Sequence, residues 1–217
     1  MSDRIFSQEA FERMPVIGIM RNFAPAVTAA VVPLFEKAGF TTLEITMNSA
    51  GAEDIIRDLV ARYPGLNIGA GTVCEMTDLE RALAAGASFI VTPIVNEEII
   101  LHCAADHIPV FPGALTPTEV YRAWKLGASA VKVFPSAQYG AAYIRDLKAP
   151  LQQVPLLPTG GVSLKNIADF FAAGAMGAGM GSTLFDKTLI AAGDFEALYH
   201  HFEQLAATVK ACLSRQA

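Results

Sequence analysis

A chain of 217 residues that is 53% hydrophobic and only 17% charged holds enough apolar side chain for one sizeable core, and a doubly buried parallel sheet suits that balance. A net charge of -5 without any Lys/Arg cluster argues against nucleic-acid binding, so an anionic substrate must be held by a local site. Three scattered cysteines, Cys74, Cys103 and Cys212, give neither a CxxC pair nor a disulfide framework, which fits a reducing cytoplasm.

The first stretch, MSDRIFSQEAFERMP, has no apolar signal core and reads as a short helix. PVIGIM (15–20) is the first strand, followed by Arg21. The next helical run ends at Gly39, and a second strand (42–46) carries Glu44 and leads into Asn48 and Ser49. NIGAG (67–71) is the third strand and runs into Thr72. Thr77 and Glu80 have the spacing of a capping box, Gly86 ends that helix, and the fourth strand (89–92) stops at Pro93. After the fifth strand (108–111), Thr116 and Glu119 form a second capping box with Pro117 at the first helical position. Gly127 closes that helix, and the sixth strand (130–134) carries Lys132 and ends at Phe134. The seventh strand (155–158) leads to Thr159, Gly160 and Gly161, with a helix start predicted from Ser163. Gly174 precedes the eighth strand (177–180), which leads to Gly181 and Ser182, and a long helix (195–212) follows. The apolar runs are interrupted by Gly, Pro or charge, so no membrane span is predicted.

The four helix-ending glycines stand 47, 41 and 47 residues apart, with a further strand in each interval. The repeating unit is therefore half that length, one strand and one helix. Eight such units predict a single α/β domain over 1–217, a (β/α)8 TIM barrel with a short N-terminal helix. A doubly wound open sheet is the competing architecture.

Barrels place their chemistry at the C-terminal ends of the strands. In LEI and VKV the branched residues share one face, so Glu44 and Lys132 point to the other, into the barrel. A buried Lys–Glu pair that only satisfies itself contributes little to stability. A deprotonated lysine, in contrast, attacks a ketone and forms a Schiff base, and burial lowers its pKa toward that state. Glu44 is then the proton carrier. The glycine-rich loops Thr159–Gly160–Gly161 and Gly181–Ser182 let backbone N–H groups approach a phosphate. GAGMGS (177–182) lacks the GxGxxG spacing of a nicotinamide site. His102, His107, His200 and His201 show no metal-binding spacing, with His200 and His201 predicted to be solvated. Lys148, Lys165 and Lys187 fall outside strand interiors and read as surface residues, and Trp124 as core or interface.

LEITMNS (43–49), GAGTV (69–73), VTP (91–93), PVFPGALTPTE (109–119), VKVFPS (131–136) and PTGGVSLKN (158–166) appear in an order that resembles the class I aldolases of 2-keto-3-deoxy-6-phosphogluconate and 4-hydroxy-2-oxoglutarate. The resemblance implies a Schiff-base Lys132 and a proton-shuttling Glu44. It implies Thr72 near the pyruvyl carboxylate, Pro93 and Phe134 shaping the pocket, and phosphate on Gly160, Gly161 and Ser182. It further implies a homotrimer with no metal or organic cofactor, releasing pyruvate and glyceraldehyde 3-phosphate. Asn48 stands where the phosphogluconate enzymes usually carry an arginine. Asn48, Ser49 and Arg21 look more like the phosphogalactonate branch, and Arg21 can grip a carboxylate or phosphate in a bidentate contact. Two rival readings keep the phosphate site: a sugar-phosphate isomerase, epimerase or synthase, and a non-catalytic phosphometabolite-binding protein.

Overall fold

Four helices end in the same way because the same glycine turn recurs in the sequence. The structure, a computed structural model, describes residues 5–215. It runs α1 (Gln8–Arg13), β1 (Val16–Met20), α2 (Pro25–Lys37), β2 (Thr42–Thr46), α3 (Ala52–Arg62), β3 (Asn67–Gly71) and α4 (Met76–Ala84). β4 (Ile90–Val91), α5 (Glu97–Ala105), β5 (Val110–Phe111), β6 (Gly113–Ala114), α6 (Pro117–Lys125), β7 (Val131–Val133) and α7 (Gly140–Lys148) continue the alternation. β8 (Leu156–Pro158), α8 (Ile167–Ala172), β9 (Ala178–Met180), α9 (Lys187–Ala192) and α10 (Phe195–Leu213) follow. After α2, α4, α6 and α8 the chain turns on Gly39, Gly86, Gly127 and Gly174, with φ between 94° and 106°. The next N–H reaches back five residues, as in Phe40 to Phe35 (3.3 Å) and Ala175 to Phe170 (3.1 Å). This Schellman ending needs a left-handed residue, which glycine supplies without Cβ strain.

The paired strands are parallel. A six-stranded sheet in the order β5-β4-β3-β2-β1-β9 curls as a half-barrel, and β6-β7-β8 form a second sheet. Pro112 separates β5 from β6; it has no N–H to donate, yet its carbonyl accepts from Lys132 N at 2.9 Å. On the far side an isolated parallel bridge pairs Thr159 with Gly179.

Two apolar layers result from strand alternation. Leu43, Ile45, Val131 and Val133 face outward and pack with helix residues such as Val31, Ile56 and Val120. Ile17, Phe89, Val91, Phe111 and Leu157 form a separate inner cluster. The N-terminal segment covers that cluster. Phe11 lies 5.9 Å from Phe111, and Phe6 meets Phe89 edge-on at 5.5 Å. Ser7 N donates to Asn67 Oδ1 (2.7 Å) while Asn67 Nδ2 donates to the Ser7 carbonyl (3.0 Å), fixing the segment at the start of β3. The short N-terminal helix is thus present as α1, while residues 1–4 of that predicted stretch, like 216–217 at the other end, lie outside the described residues.

Several local expectations are corrected. Thr77 is not a helix cap: α4 begins at Met76 after Glu75, and the Asp78 carboxylate accepts from Cys74 N at 3.3 Å instead. The helix predicted from Ser163 begins at Ile167, because Asn166 bonds back to Ser163 N (2.8 Å) and the Gly161 carbonyl (2.9 Å) and holds a turn there. β4 has only two residues, since Pro93 cannot extend the ladder. His201 is half-buried and its Nε2 meets the Thr183 carbonyl at 2.9 Å, whereas His200 is exposed beside Glu203. Lys148 caps a turn through the Val154 carbonyl (3.1 Å). The Thr116–Glu119 capping box forms as expected. No helix of the described residues is long and apolar enough to cross a membrane.

Candidate active site

β7 presents Val131 and Val133 to the helices, which turns Lys132 to the inside between its register partners Gly113 and Leu157. β2 does the same for Glu44, opposite Ile19 and Gly69. Both side chains are deeply buried, Lys132 at 4% and Glu44 at 1% exposure. Lys132 Nζ lies 5.0 Å from the centre of the Phe134 ring. Among the described residues no direct ion pair joins Lys132 to Glu44, and Glu44 Oε2 has no hydrogen-bond partner. The two charges therefore do not quench each other by contact.

Burial decides the protonation of both groups. It pushes the Glu44 carboxyl from 4.5 up to about 7, against the downward pull of the Lys132 and Arg21 charges. It pushes the Lys132 ammonium down, against the upward pull of Glu44, with the like charge of Arg21 adding to the downward side. Desolvation disfavours the ionised form of each, so a lysine drawn toward its neutral amine and an acid that exchanges protons near neutrality are brought into one site.

A cavity of about 290 Å³ opens beside Lys132. The predicted Phe134, Thr159, Gly160, Gly161, Gly181, Ser182 and Arg21 all line it, arriving from the loops after β7, β8, β9 and β1. Thr159 is fixed by its N–H, which donates to the Val133 carbonyl (3.0 Å) and to Ser136 Oγ (3.2 Å). Gly160 and Gly161 take φ of 86° and 77°, so the loop offers backbone without side chains.

Four predicted residues do not line this cavity: Glu44, Thr72, Pro93 and Asn48. Thr72 nevertheless touches it through Arg21, whose Nη2 donates to Thr72 Oγ1 at 3.4 Å. Thr72 has φ 56°, a strained backbone for a β-branched residue. Pro93 is half-buried and packs against Gly113, where an added methyl would lie 3.0 Å from Pro93 Cα. Asn48 is exposed and makes no side-chain hydrogen bond among the described residues. Its neighbour Ser49 does the structural work, accepting from Asn22 N (2.9 Å) and pairing with Thr46 Oγ1 (2.8 Å).

Lys187, read from sequence as a surface residue, lines the cavity. It opens α9, where Asp186 accepts from Thr188 N (2.8 Å) and Leu189 N (3.2 Å), a helix start that sets Lys187 a few residues past Ser182. Thr183 was also missed; its hydroxyl donates to the Val162 carbonyl (2.5 Å) and ties the two glycine loops together. Among the described residues no group of three or more His, Cys, Asp and Glu side chains is placed to hold a metal ion.

The family model described as KDPG and KHG aldolase (the phosphogluconate and hydroxy-oxoglutarate substrates named above) matches residues 8–201. The 2-dehydro-3-deoxy-6-phosphogalactonate aldolase of Escherichia coli strain K12 is 37% identical over 80% of this chain and 85% of its own length. The 2-dehydro-3-deoxy-phosphogluconate aldolase of Haemophilus influenzae is 34% identical over 88% of this chain and 92% of its own. A solved structure described as "Native KDPGal structure" superposes with a TM-score of 0.86 at 31% identity, covering 97% of this chain and 99% of the other. With a buried lysine–glutamate pair, glycine loops around one cavity and similarity along nearly the whole length, this chain belongs to the KDPG and KHG aldolase family of carbon–carbon lyases.

Proposed function

We propose that this protein is a Schiff-base aldolase that cleaves 2-keto-3-deoxy-6-phosphogluconate, or its galactonate epimer, to pyruvate and glyceraldehyde 3-phosphate. It also cleaves 4-hydroxy-2-oxoglutarate to pyruvate and glyoxylate. The observation that carries this reading is Lys132, buried in an apolar strand, drawn toward its neutral amine and facing a cavity with glycine loops. The amine adds to the C2 ketone, and Glu44 protonates the departing hydroxyl, leaving an iminium. The Glu44 carboxylate takes the C4 hydroxyl proton as the C3–C4 bond breaks, and the bond's electrons flow into the iminium. After the aldehyde leaves, Glu44 returns the proton to C3, and water releases pyruvate from Lys132. A carboxyl with a pKa of about 7 both takes and gives protons readily at neutral pH.

Arg21, with Thr72 beside it, receives the substrate carboxylate, and Thr159, Gly160, Gly161, Gly181 and Ser182 receive the phosphate. Pro93, Phe134 and Asn48 shape specificity; Asn48 and Arg21 match the galactonate branch. The same reading makes the two sheets arcs of one closed (β/α)8 barrel and a single domain. Continuity through Pro112, the Thr159–Gly179 bridge and the TM-score of 0.86 support this. It also makes the protein a cytoplasmic homotrimer that needs no metal or organic cofactor; three free cysteines support the reducing compartment, and exposed Ile94, Leu101 and Tyr121 support apolar contacts between subunits.

Reductive trapping tests the chemistry. Incubation with pyruvate and borohydride is expected to add one pyruvyl group, and peptide mapping to place it on Lys132. No adduct on folded protein, alongside a control aldolase that reacts, sinks the reading and favours an isomerase or a binding protein.

A further inference from the structure

Glu44 is held in an unusual way. Its carboxylate is buried, and among the described residues Oε2 has no hydrogen-bond partner, so polar contacts do not fix its position. What lies against it is the backbone of β3. A methyl group built at Gly71 would lie 2.5 Å from Glu44 Cδ and 3.0 Å from Oε2, and closer still to Oε1. Those three Glu44 atoms are the nearest that the methyl would meet. Gly71 itself is anchored, since its carbonyl accepts from Met47 N at 2.8 Å and it pairs in register with Thr46. Its φ lies outside the left-handed region, so the absence of a Cβ is required by the neighbour and not by the backbone.

Resting on the function proposed above, we infer that Gly71 is the positioning residue for Glu44: the bare Cα is the floor on which the carboxylate lies in reach of the Lys132 adduct. Adding a Cβ there moves the end of a flexible side chain, which costs the fold little. It moves the proton-carrying atoms, and misplacement by about 1 Å can cost roughly 10²-fold in rate.

The test is a cycle of Gly71→Ala with Glu44→Asp, assayed as kcat and KM for the phosphorylated substrate. Gly71→Ala alone is expected to fold, to keep KM within about twofold and to lose about 10²-fold in kcat. In the Glu44→Asp background, whose carboxylate is drawn back from Gly71 by one methylene, the same substitution is expected to cost markedly less in kcat than it does beside Glu44. Undiminished kcat in Gly71→Ala, or an equal loss in both backgrounds, overturns the inference. If Gly71→Ala unfolds, folding restored in Glu44→Ala/Gly71→Ala supports it, and continued unfolding overturns it. Glu44→Gln run in parallel separates the two levels: full turnover there refutes the role of Glu44 itself, whereas collapse there with normal Gly71→Ala refutes only the floor.

Discussion

Replacing Glu44 by glutamine keeps the shape of the side chain and removes its proton. In the folded protein the carboxyl sits at about 7, against 4.5 when free. The folded state therefore binds more protons than the unfolded chain between these two values, and stability falls as pH rises through that window. At 1.36 kcal/mol per pH unit the full loss is about 3 kcal/mol, complete above pH 7 and absent below pH 4.5. The neutral amide of Glu44→Gln carries no such cost. It adds a pH-independent penalty of about 1–3 kcal/mol for an amide that lacks partners, so the informative quantity is the difference between two pH values. From pH 4.5 to pH 8.5, the stability of Glu44→Gln relative to the native protein is expected to rise by about 3 kcal/mol, or about 6–12 °C in Tm. Urea unfolding at both pH values measures this, and turnover at pH 7.5 is expected to fall by about 10²–10⁴-fold in the same variant. Parallel stability profiles would refute the claim that Glu44 is desolvated. Unchanged turnover would remove it from the mechanism.

Lys132→Ala is expected to abolish both turnover and borohydride trapping while circular dichroism stays native. Lys187→Ala is expected to raise KM for the phosphorylated substrate by about 3–10-fold, one exposed charge contact, and to leave KM for 4-hydroxy-2-oxoglutarate unchanged; steady-state kinetics on both substrates decide it. Phe11→Ala removes a ring that is 1% exposed and is expected to destabilise the fold by about 3–5 kcal/mol in urea, with little change in KM.

The alternation of strands and helices was readable because four helices end in the same glycine turn, and because LEI and VKV declare which face a charged residue must take. The glycine loops and Arg21 were readable as polar residues at strand ends, where the topology brings them to one cavity. Other features turned on side-chain hydrogen bonds that a residue pattern does not declare, or on contacts distant in sequence. Thr77 carries a capping pattern, yet Asp78 captured Cys74 N, and Asn96 Nδ2 holds the Cys74 carbonyl at 3.0 Å. Ser163 looked like a helix start until Asn166 bonded back to it. Lys187 gave no local sign of function because its place is set by the loop after β9 meeting the loops after β1 and β8. The contact between Gly71 and Glu44 crosses two strands and has no periodic signature.

The seal formed by Phe6, Phe11 and the Ser7–Asn67 clamp has a consequence for the order of synthesis. Phe11 leaves the ribosome about 100 residues before Phe111, the ring it packs against, which at 5–20 residues per second is a delay of about 5–20 s. During that interval the cluster that the N-terminal segment covers is incomplete, since Phe111, Ala130 and Leu157 are still to be made. The seal over the inner cluster is therefore completed late in folding, although its own residues are early ones of translation.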